Sequence, residues 1–500
     1  MKTFKKKFLV TALVSASALG LAGAAQAVNV NPDGLGQVLI YPYYTVRDHV
    51  EGASFDSLFS VVNSTGDGKA VKVRFLEGKN SREVLDFNLY LSPYDVWTAA
   101  ISQDADGAFL LTGDTSCTRP VNLNSLGKFR NYEYIGPNAD FEDTSLDRTR
   151  EGYAEVIEMA SSEADETPTV YFTHRHASWN CGHASLVNNA DTGWLPPSGG
   201  LFGSMTLIAP KAGLDIAYDP VALDDFRSVK AITATGSLFP NLNSAEPMSV
   251  VVNGSYTYYT DWDDIGANGE TNGLDGATAV SAVLMHANVM NEFVRKGGAD
   301  ADTDWVITMP TKRFFYDRDA RDNVNRLIPV ITLFQEDFGL GGACDDVGFH
   351  YFDREELGQE AAAEDVSPRP PTSTIGICWE ANVITFNKPI FGSTNAMSFN
   401  LPDTHLNGWG KLSFLQGTSG IHELFTPVEG AGNGTQTVIY DAYTGPVAIP
   451  ATANVVYSGL PTIGFAAQVF NNGALDGPSG KVNANYAGRL NHKMERVITP

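Results

Sequence analysis

Alternation with a period of two is the feature that most limits what this chain can become. Val71, Val73 and Phe75 alternate with Lys72 and Arg74, and Leu85, Phe87, Leu89 and Leu91 alternate with Val84, Asp86, Asn88 and Tyr90. Neighbouring side chains on a strand leave opposite faces, so Val71–Phe75 reads as a half-buried strand and the second run as another. The cluster Asn63-Ser-Thr-Gly66-Asp-Gly68 turns the chain before the first run, and Pro93 stops the second. The apolar run from Phe55 to Asn63 and the extended stretch from Val96 to Ile101 add two more strands. Short strands parted by turns predict an antiparallel sandwich, and the spacing over 28–125 suits an immunoglobulin-like domain.

Strand-like pieces continue beyond it, from Val170 to His174 and from Met205 to Ala209. Ser249–Val252 and Ser255–Thr260 flank Asn253-Gly254, the strongest short hairpin signal. One helix stands out over 276–296, where Val280, Val283, Leu284, Ala287, Met290 and Val294 recur at helical spacing. Asp275 stands at its start, Arg295 and Lys296 suit the negative end of its dipole, and Gly297-Gly298 ends it. The apolar centre of the stretch from Thr303 to Asp317 reads as a buried strand with Pro310 at a bulge or edge. Lys312, Arg313, Arg318, Arg321 and Arg326, interleaved with Asp317, Asp319 and Asp322, read as a solvated ion-pair network. Strand-and-turn pattern returns toward the C-terminus, as from Ile463 to Phe470. The fold class expected is mainly β: two or more antiparallel β-sandwich (immunoglobulin-like) domains, with one amphipathic helix packed on a sheet. The expected divisions are 28–125, a central β-rich 126–400, and a C-terminal β-rich 401–500.

The first 27 residues are read apart from the fold as a signal peptide. Lys2, Lys5, Lys6 and Lys7 precede an apolar stretch from Phe8 to Leu21, and Ala25-Gln-Ala27 offers a small-x-small cleavage site. The chain's 34 basic and 58 acidic residues give a net charge of −24; the leader holds four of the basic residues and no acidic one, so without it the charge is −28. That sign argues against nucleic acid and anionic lipid as partners. No later apolar run reaches membrane-span length, so no membrane span is expected after cleavage. At 43% hydrophobic and 11% aromatic the chain has ample material for cores. Four cysteines in an exported chain imply two disulfides, with three connectivities open. The sequential pairing, Cys117–Cys181 and Cys344–Cys378, is favoured because each bridge then closes a modest loop. The second would staple an acidic, Ala-rich stretch over 353–371, expected to be a mobile surface loop.

The phrases Ala70-Val-Lys-Val-Arg-Phe-Leu-Glu-Gly78, Thr303-Asp-Trp-Val-Ile-Thr-Met-Pro-Thr-Lys-Arg313 and Gly459-Leu-Pro-Thr-Ile-Gly-Phe465 resemble ones in uncharacterised exported surface proteins of proteobacteria. The resemblance covers most of the chain beyond the leader. It implies a location and carries over no catalytic residue.

Local chemistry supplies the candidate sites. In His174-Arg-His176-Ala-Ser-Trp-Asn-Cys181-Gly-His183, His174 and His176 would leave one face of a strand, and His183 on the next turn would complete a zinc or copper site. Cys181 would join it as a thiolate only if it were not bonded to Cys117. Ordinary turn histidines beside a disulfide are the competing reading. Asp104-Ala-Asp106-Gly107 and Asp261-Trp-Asp263-Asp264 carry the hard oxygens of calcium loops, although neither fits the helix–loop–helix pattern, and Asp300-Ala-Asp302-Thr-Asp304 offers a third cluster. Ser419 lies near His422 without the spacing of a nucleophile elbow. Tyr41-Pro-Tyr43-Tyr44, Tyr256-Thr-Tyr258-Tyr259, Trp262 and Trp409 would stack on sugar rings if they were displayed.

These readings converge on a non-enzymatic exported protein, structural or adhesive, of the bacterial cell envelope or surface. Its expected partners are surface or envelope components, glycans or further copies of itself, with calcium at Asp261, Asp263 and Asp264. One alternative is a periplasmic zinc- or copper-binding protein, or a metalloenzyme, built on His174, His176 and His183. A second is a carbohydrate-binding protein.

Overall fold

The computed structural model describes residues 26–50, 52–121, 123, 127–189, 192–262, 274–295, 300–316, 333–336, 338–367, 375–415, 422–425, 437–447, 455–477 and 480–499. Almost all of the leader over 1–27 lies outside them.

The N-terminal half is a sandwich of twelve strands: β1 (Asn29–Val30), β2 (Val38–Thr45), β3 (Asp56–Asn63), β4 (Gly68–Glu77), β5 (Glu83–Leu91), β6 (Val96–Gln103), β7 (Ala108–Leu111), β8 (Cys117–Arg119), β9 (Glu151–Ser162), β10 (Leu201–Ala209), β11 (Leu214–Tyr218) and β12 (Val221–Asp224). They form a seven-stranded antiparallel sheet, β1-β12-β2-β9-β4-β5-β8, facing a five-stranded one, β11-β10-β3-β6-β7. Alternate side chains from both sheets meet between them: Tyr41 and Phe59 are 4.7 Å apart, Phe59 and Phe75 5.5 Å, Phe87 and Trp97 5.4 Å. Gly203 in β10 makes room for this packing. A Cβ there would sit 2.1 Å from the Tyr41 hydroxyl, which donates to Ser60 O at 2.7 Å. The boundary expected at 125 does not hold, because β9 lies between β2 and β4 of one sheet and β10 beside β3 of the other.

The strand expected to be half-buried is buried on both faces. Every residue of β4 and of β9 is buried. Lys72 pairs with Asp86, and Arg74 lies 2.6 Å from Glu83 and 2.5 Å from Glu155. The polar half of the alternation therefore points into an ion-paired interior rather than into water.

Further strands, besides several shorter ones, are β13 (Met248–Asn253), β14 (Tyr256–Asp261), β15 (Asn288–Val294), β16 (Asp300–Thr308), β17 (Asp345–Asp353), β18 (Ala381–Thr385), β19 (Ala396–Phe399), β20 (Asn407–Ser413), β21 (Thr437–Asp441), β22 (Ile463–Asn471) and β23 (Tyr486–Asn491). The β13–β14 hairpin turns at Gly254-Ser255, one residue beyond the expected Asn253-Gly254, with Gly254 at φ +62° and Asn253 paired to Tyr256, and β21 continues that sheet. One further sheet runs β17-β20-β15, with Gly358–Glu360 and Lys493–Glu495 at its edges; another runs β19-β18-β16-β22-β23. Trp305, Phe349, Phe386 and Phe399 pack between these two. The other face of the second meets the N-terminal sandwich, with Phe465 stacked at 4.7 Å on Tyr218 and Phe391 at 5.3 Å from Tyr43. The expected break at 400 likewise falls inside a shared core.

The helix expected over 276–296 is α1 (Asp275–Leu284), and Gly276 to Leu284 are all buried. Ala287, Met290 and Val294 do not continue its stripe, because the chain is extended from Met285 and becomes β15. Asn288-Val-Met-Asn-Glu-Phe-Val294 also satisfies a period of two, with Val289 and Phe293 inward. Partners on both sides, β20 and Lys493–Glu495, decide for the strand. Arg295 donates to the carbonyls of Leu401 and Pro402 instead of ending a helix. The loop over 353–371 is also structured where described: Gly358–Glu360 pairs with β17, Val366–Ser367 pairs with β19, and Ala361, Ala363 and Val366 are buried. Its end, 368–371, lies outside the described residues.

Candidate functional site

The five-stranded sheet has one face in the sandwich and one in the open. On β3, β6 and β10 the inward residues are Phe59 and Val61, Trp97 and Ile101, Met205 and Leu207. The register sets the outward residues in rows across the strands. Phe202, Val62 and Val96 form an apolar row; Ser204, Ser60 and Thr98 a hydroxyl row; Thr206, Leu58, Ala100 and Leu111 a mixed row. None of these side chains carries a charge, and Leu58, Val96, Leu111 and Phe202 are 41–48% exposed. Small hydroxyls and methyls between the larger residues leave a shallow open trough of about 640 Å³, lined by Leu58, Ser60, Thr98, Ala100, Leu111 and Thr206 among others. Charge begins in the next row, where Asp215 of β11 and Asp56 of β3 flank Ile208 and Asp56 accepts from Ser102 Oγ, and at the rim, where Asp114 accepts from Thr98 N at 3.2 Å. Three adjoining rows of hydroxyls and hydrocarbon with no titratable group suit binding rather than proton or group transfer. The sequence signal was present: Leu58, Ser60 and Val62 of β3, Phe202, Ser204, Thr206 and Ile208 of β10, and Val96, Thr98, Ala100 and Ser102 of β6 point outward and none is an acid or base.

Sequence reasoning placed its candidates elsewhere. His174 and His176 are not on a strand. Thr169–Phe172 is a single helical turn whose Phe172 packs on Tyr90 and Trp194, and the chain then turns through Arg175 at φ +63°. The three rings have separate partners. His174 lies 3.6 Å from Asp95 Oδ2 and 3.3 Å from Thr115 Oγ1; His176 Nδ1 accepts from Ser178 N at 3.1 Å; His183 stacks on Tyr171 and bonds Ser185 Oγ at 2.6 Å. Cys181 is bonded to Cys117, and Cys344 to Cys378. Among the described residues no group of three or more His, Cys, Asp or Glu side chains is arranged to hold a metal ion. The tridentate zinc or copper site is therefore not assembled.

The carboxylate loops have occupations of their own. Asp104 accepts from the backbone of Asp106 and Gly107, and its other oxygen lies 2.9 Å from Lys128, which holds the carboxyl below its usual range. An ammonium thus sits where a cation would. Asp302 and Asp304 leave one face of β16 and organise the turn after β18: Asp302 accepts from Asn387 Nδ2 and Lys388 N, Asp304 from Ile390 N and Phe391 N. Asp261 ends β14, while Asp263 and Asp264 lie outside the described residues. So do Ser419 and the run Asp317 to Arg326. Lys312, expected in a solvated network, is fully buried.

No family model, curated protein or solved structure matches the chain. What stands without a relative is chemical. Two disulfides place the chain in an oxidising, non-cytoplasmic environment. No helix among the described residues is long and apolar enough to cross a membrane. Of the aromatic candidates, Tyr41, Tyr43, Tyr44, Tyr258 and Trp262 are core; Tyr256, Tyr259 and Trp409 remain displayed.

Proposed function

We propose that this chain is an exported structural or adhesive protein of the bacterial cell envelope or surface, and that it adheres through the outer face of β10, β3, β6 and β7. The carrying observation is that three consecutive rows of this face, those of Phe202, Ser204 and Thr206, bear no charge in a chain with 58 acidic and 34 basic residues. Ordinary solvent-facing sheet positions in so charged a protein include acids and bases, and their exclusion favours a partner that strips water from hydroxyls and methyls. Partners of this chemistry are weakly charged envelope or surface polymers. The signal-like leader and the two disulfides support export.

The test charges the face without touching the core. Purified wild type and the variants Ser60→Glu and Thr98→Lys are sedimented with isolated envelope fragments, and melting temperatures are recorded in parallel. Retention falling to background at unchanged melting temperature is the expected result. Equal retention of all three proteins would remove this face from the reading.

A carbohydrate-binding reading is favoured by one separate observation. Trp409 on β20 is 40% exposed and lies parallel to Phe352 at 4.6 Å, with Glu292 paired on its other side. Such a ring beside a carboxylate fits a sugar. Saturable glycan-array binding that disappears in Trp409→Ala would support it; an array without saturable hits would end it. Calcium stays in the proposal only at Asp261, Asp263 and Asp264, and calorimetric titration of the purified protein with calcium checks it.

A further inference from the structure

Away from the sheet face, a lysine, an aspartate and a histidine are buried together beside the Cys344–Cys378 bridge. Lys312 lies just beyond β16, Asp345 opens β17, and His422 comes from a distant turn, where it takes φ +58°. All three are at most 1% exposed. Lys312 Nζ lies 2.7 Å from Asp345 Oδ2 and donates to Ala343 O at 2.6 Å. Asp345 Oδ1 accepts from Gln335 N at 2.8 Å and faces His422 Nε2 at 3.2 Å. The two carboxyl oxygens thus have different surroundings: Oδ1 is cradled, and Oδ2 faces the amine.

The histidine fixes the position of a proton. His422 Nδ1 lies 2.8 Å from Phe414 O, and a carbonyl only accepts, so Nδ1 carries a hydrogen. In a neutral ring Nε2 would then present a lone pair to a carboxylate oxygen. The 3.2 Å approach requires a proton between Nε2 and Oδ1 instead. Burial raises the Asp345 carboxyl, but Lys312 and His422 outweigh it and hold the group below its usual range. The carboxyl therefore lies between the Lys312 amine at Oδ2 and the His422 ring at Oδ1.

We propose that Lys312 and Asp345 become joined by an intramolecular isopeptide bond, with His422 as the catalytic acid. Lys312 Nζ passes a proton to Oδ2, and its freed lone pair attacks Cγ. Negative charge builds on Oδ1, where Gln335 N–H and the His422 proton already point, as donors do in an oxyanion hole. The Nζ–Cγ bond forms and the Cγ–Oδ2 bond breaks. A second proton from nitrogen completes the water that leaves, and His422 recovers its own. One ammonium and one carboxylate become one amide and one water; no oxidant, reductant or added group is needed. Contact in a dry site supplies the proximity, and the amide removes two buried charges that are costly to keep. Lys69 and Glu158 form a comparable buried pair, but Glu158 accepts from Ser198 N and Gly199 N and has no histidine against it, so it lacks the acid. The inference is independent of what the sheet face binds.

Intact mass of the full chain, denatured and disulfide-reduced, decides it. The expected mass is one water below that of the linear sequence, with a tryptic peptide joining the segments of Lys312 and Asp345 and no cleavage after Lys312. Asp345→Asn should give the same linkage with loss of ammonia in place of water, an exchange no ion pair reproduces. Lys312→Arg should restore the linear mass, and His422→Gln should leave most chains unlinked. A wild type at the linear mass, cleaved normally after Lys312, overturns the proposal. So does a water deficit that maps to another pair, or full linkage in His422→Gln.

Discussion

Lys69 donates to Glu158 Oε1 at 2.8 Å, with neither side chain exposed, where β4 and β9 close one end of the sandwich. Lys69 also donates to Ser198 Oγ and Gly199 O, while Glu158 accepts from the backbone of Ser198 and Gly199. The pair fastens the loop before β10 onto the seven-stranded sheet. Lys69→Met would leave a carboxylate buried without its cation and should cost about 3–5 kcal/mol in urea unfolding. Lys69→Met with Glu158→Leu should recover part of that loss. A single variant as stable as wild type would show that the pair is not buried as described.

Two buried groups on and beside β16 predict opposite pH dependences. Burial pushes the Asp304 carboxyl from 3.8 up to about 7, against the hydrogen bonds it accepts. Its stabilisation is complete below about pH 4 and is lost as pH rises through about 7. Asp304→Asn keeps an acceptor for Ile390 N and Phe391 N and should abolish this slope, worth roughly 4 kcal/mol across the window. Burial lowers His492 from 6.5 to about 4, and its ring lies 3.1 Å from Val306 O. That contribution is complete above pH 6.5 and is lost as pH falls toward 4. His492→Gln should flatten the acid limb by about 3 kcal/mol. Urea midpoints at several pH values for the three proteins separate the two effects.

Gly203→Ala would place a methyl 2.1 Å from the Tyr41 hydroxyl and 2.2 Å from Ser60 O. One of β10, β3 or Tyr41 must move, and the Tyr41–Ser60 bond is lost. A cost of about 2–4 kcal/mol is expected from overpacking and the broken bond. A melting temperature within a degree or so of wild type would mean that the strands part easily there.

The bridges span 64 and 34 residues. Each should contribute about 4 kcal/mol by restricting the unfolded chain. Cys117→Ser with Cys181→Ser should lower the unfolding midpoint accordingly. The segment holding His174 and His183 should then become the first to be cut in limited proteolysis.

What could be read in the sequence was whatever depends on near neighbours. The runs Val71–Phe75 and Leu85–Leu91 formed strands because period-two alternation bounded by turns has few other solutions. The hairpin signalled by Asn253-Gly254 formed, with its turn at Gly254-Ser255, and the cysteines joined in sequential pairs. Distant chain decided the rest. Asn288–Val294 satisfied both helical and strand periods, and β20 and Lys493–Glu495 chose the strand. Lys72 and Arg74 looked wet until loops and a second half covered them. The histidines were close in sequence, but a turn at Arg175 sends their rings to different neighbours. His422 and Asp345, 77 residues apart, had no local pattern to announce them. Alternation and turn chemistry are properties of a few consecutive residues; burial and juxtaposition belong to whichever remote segment packs against them, and only the tertiary structure holds that information.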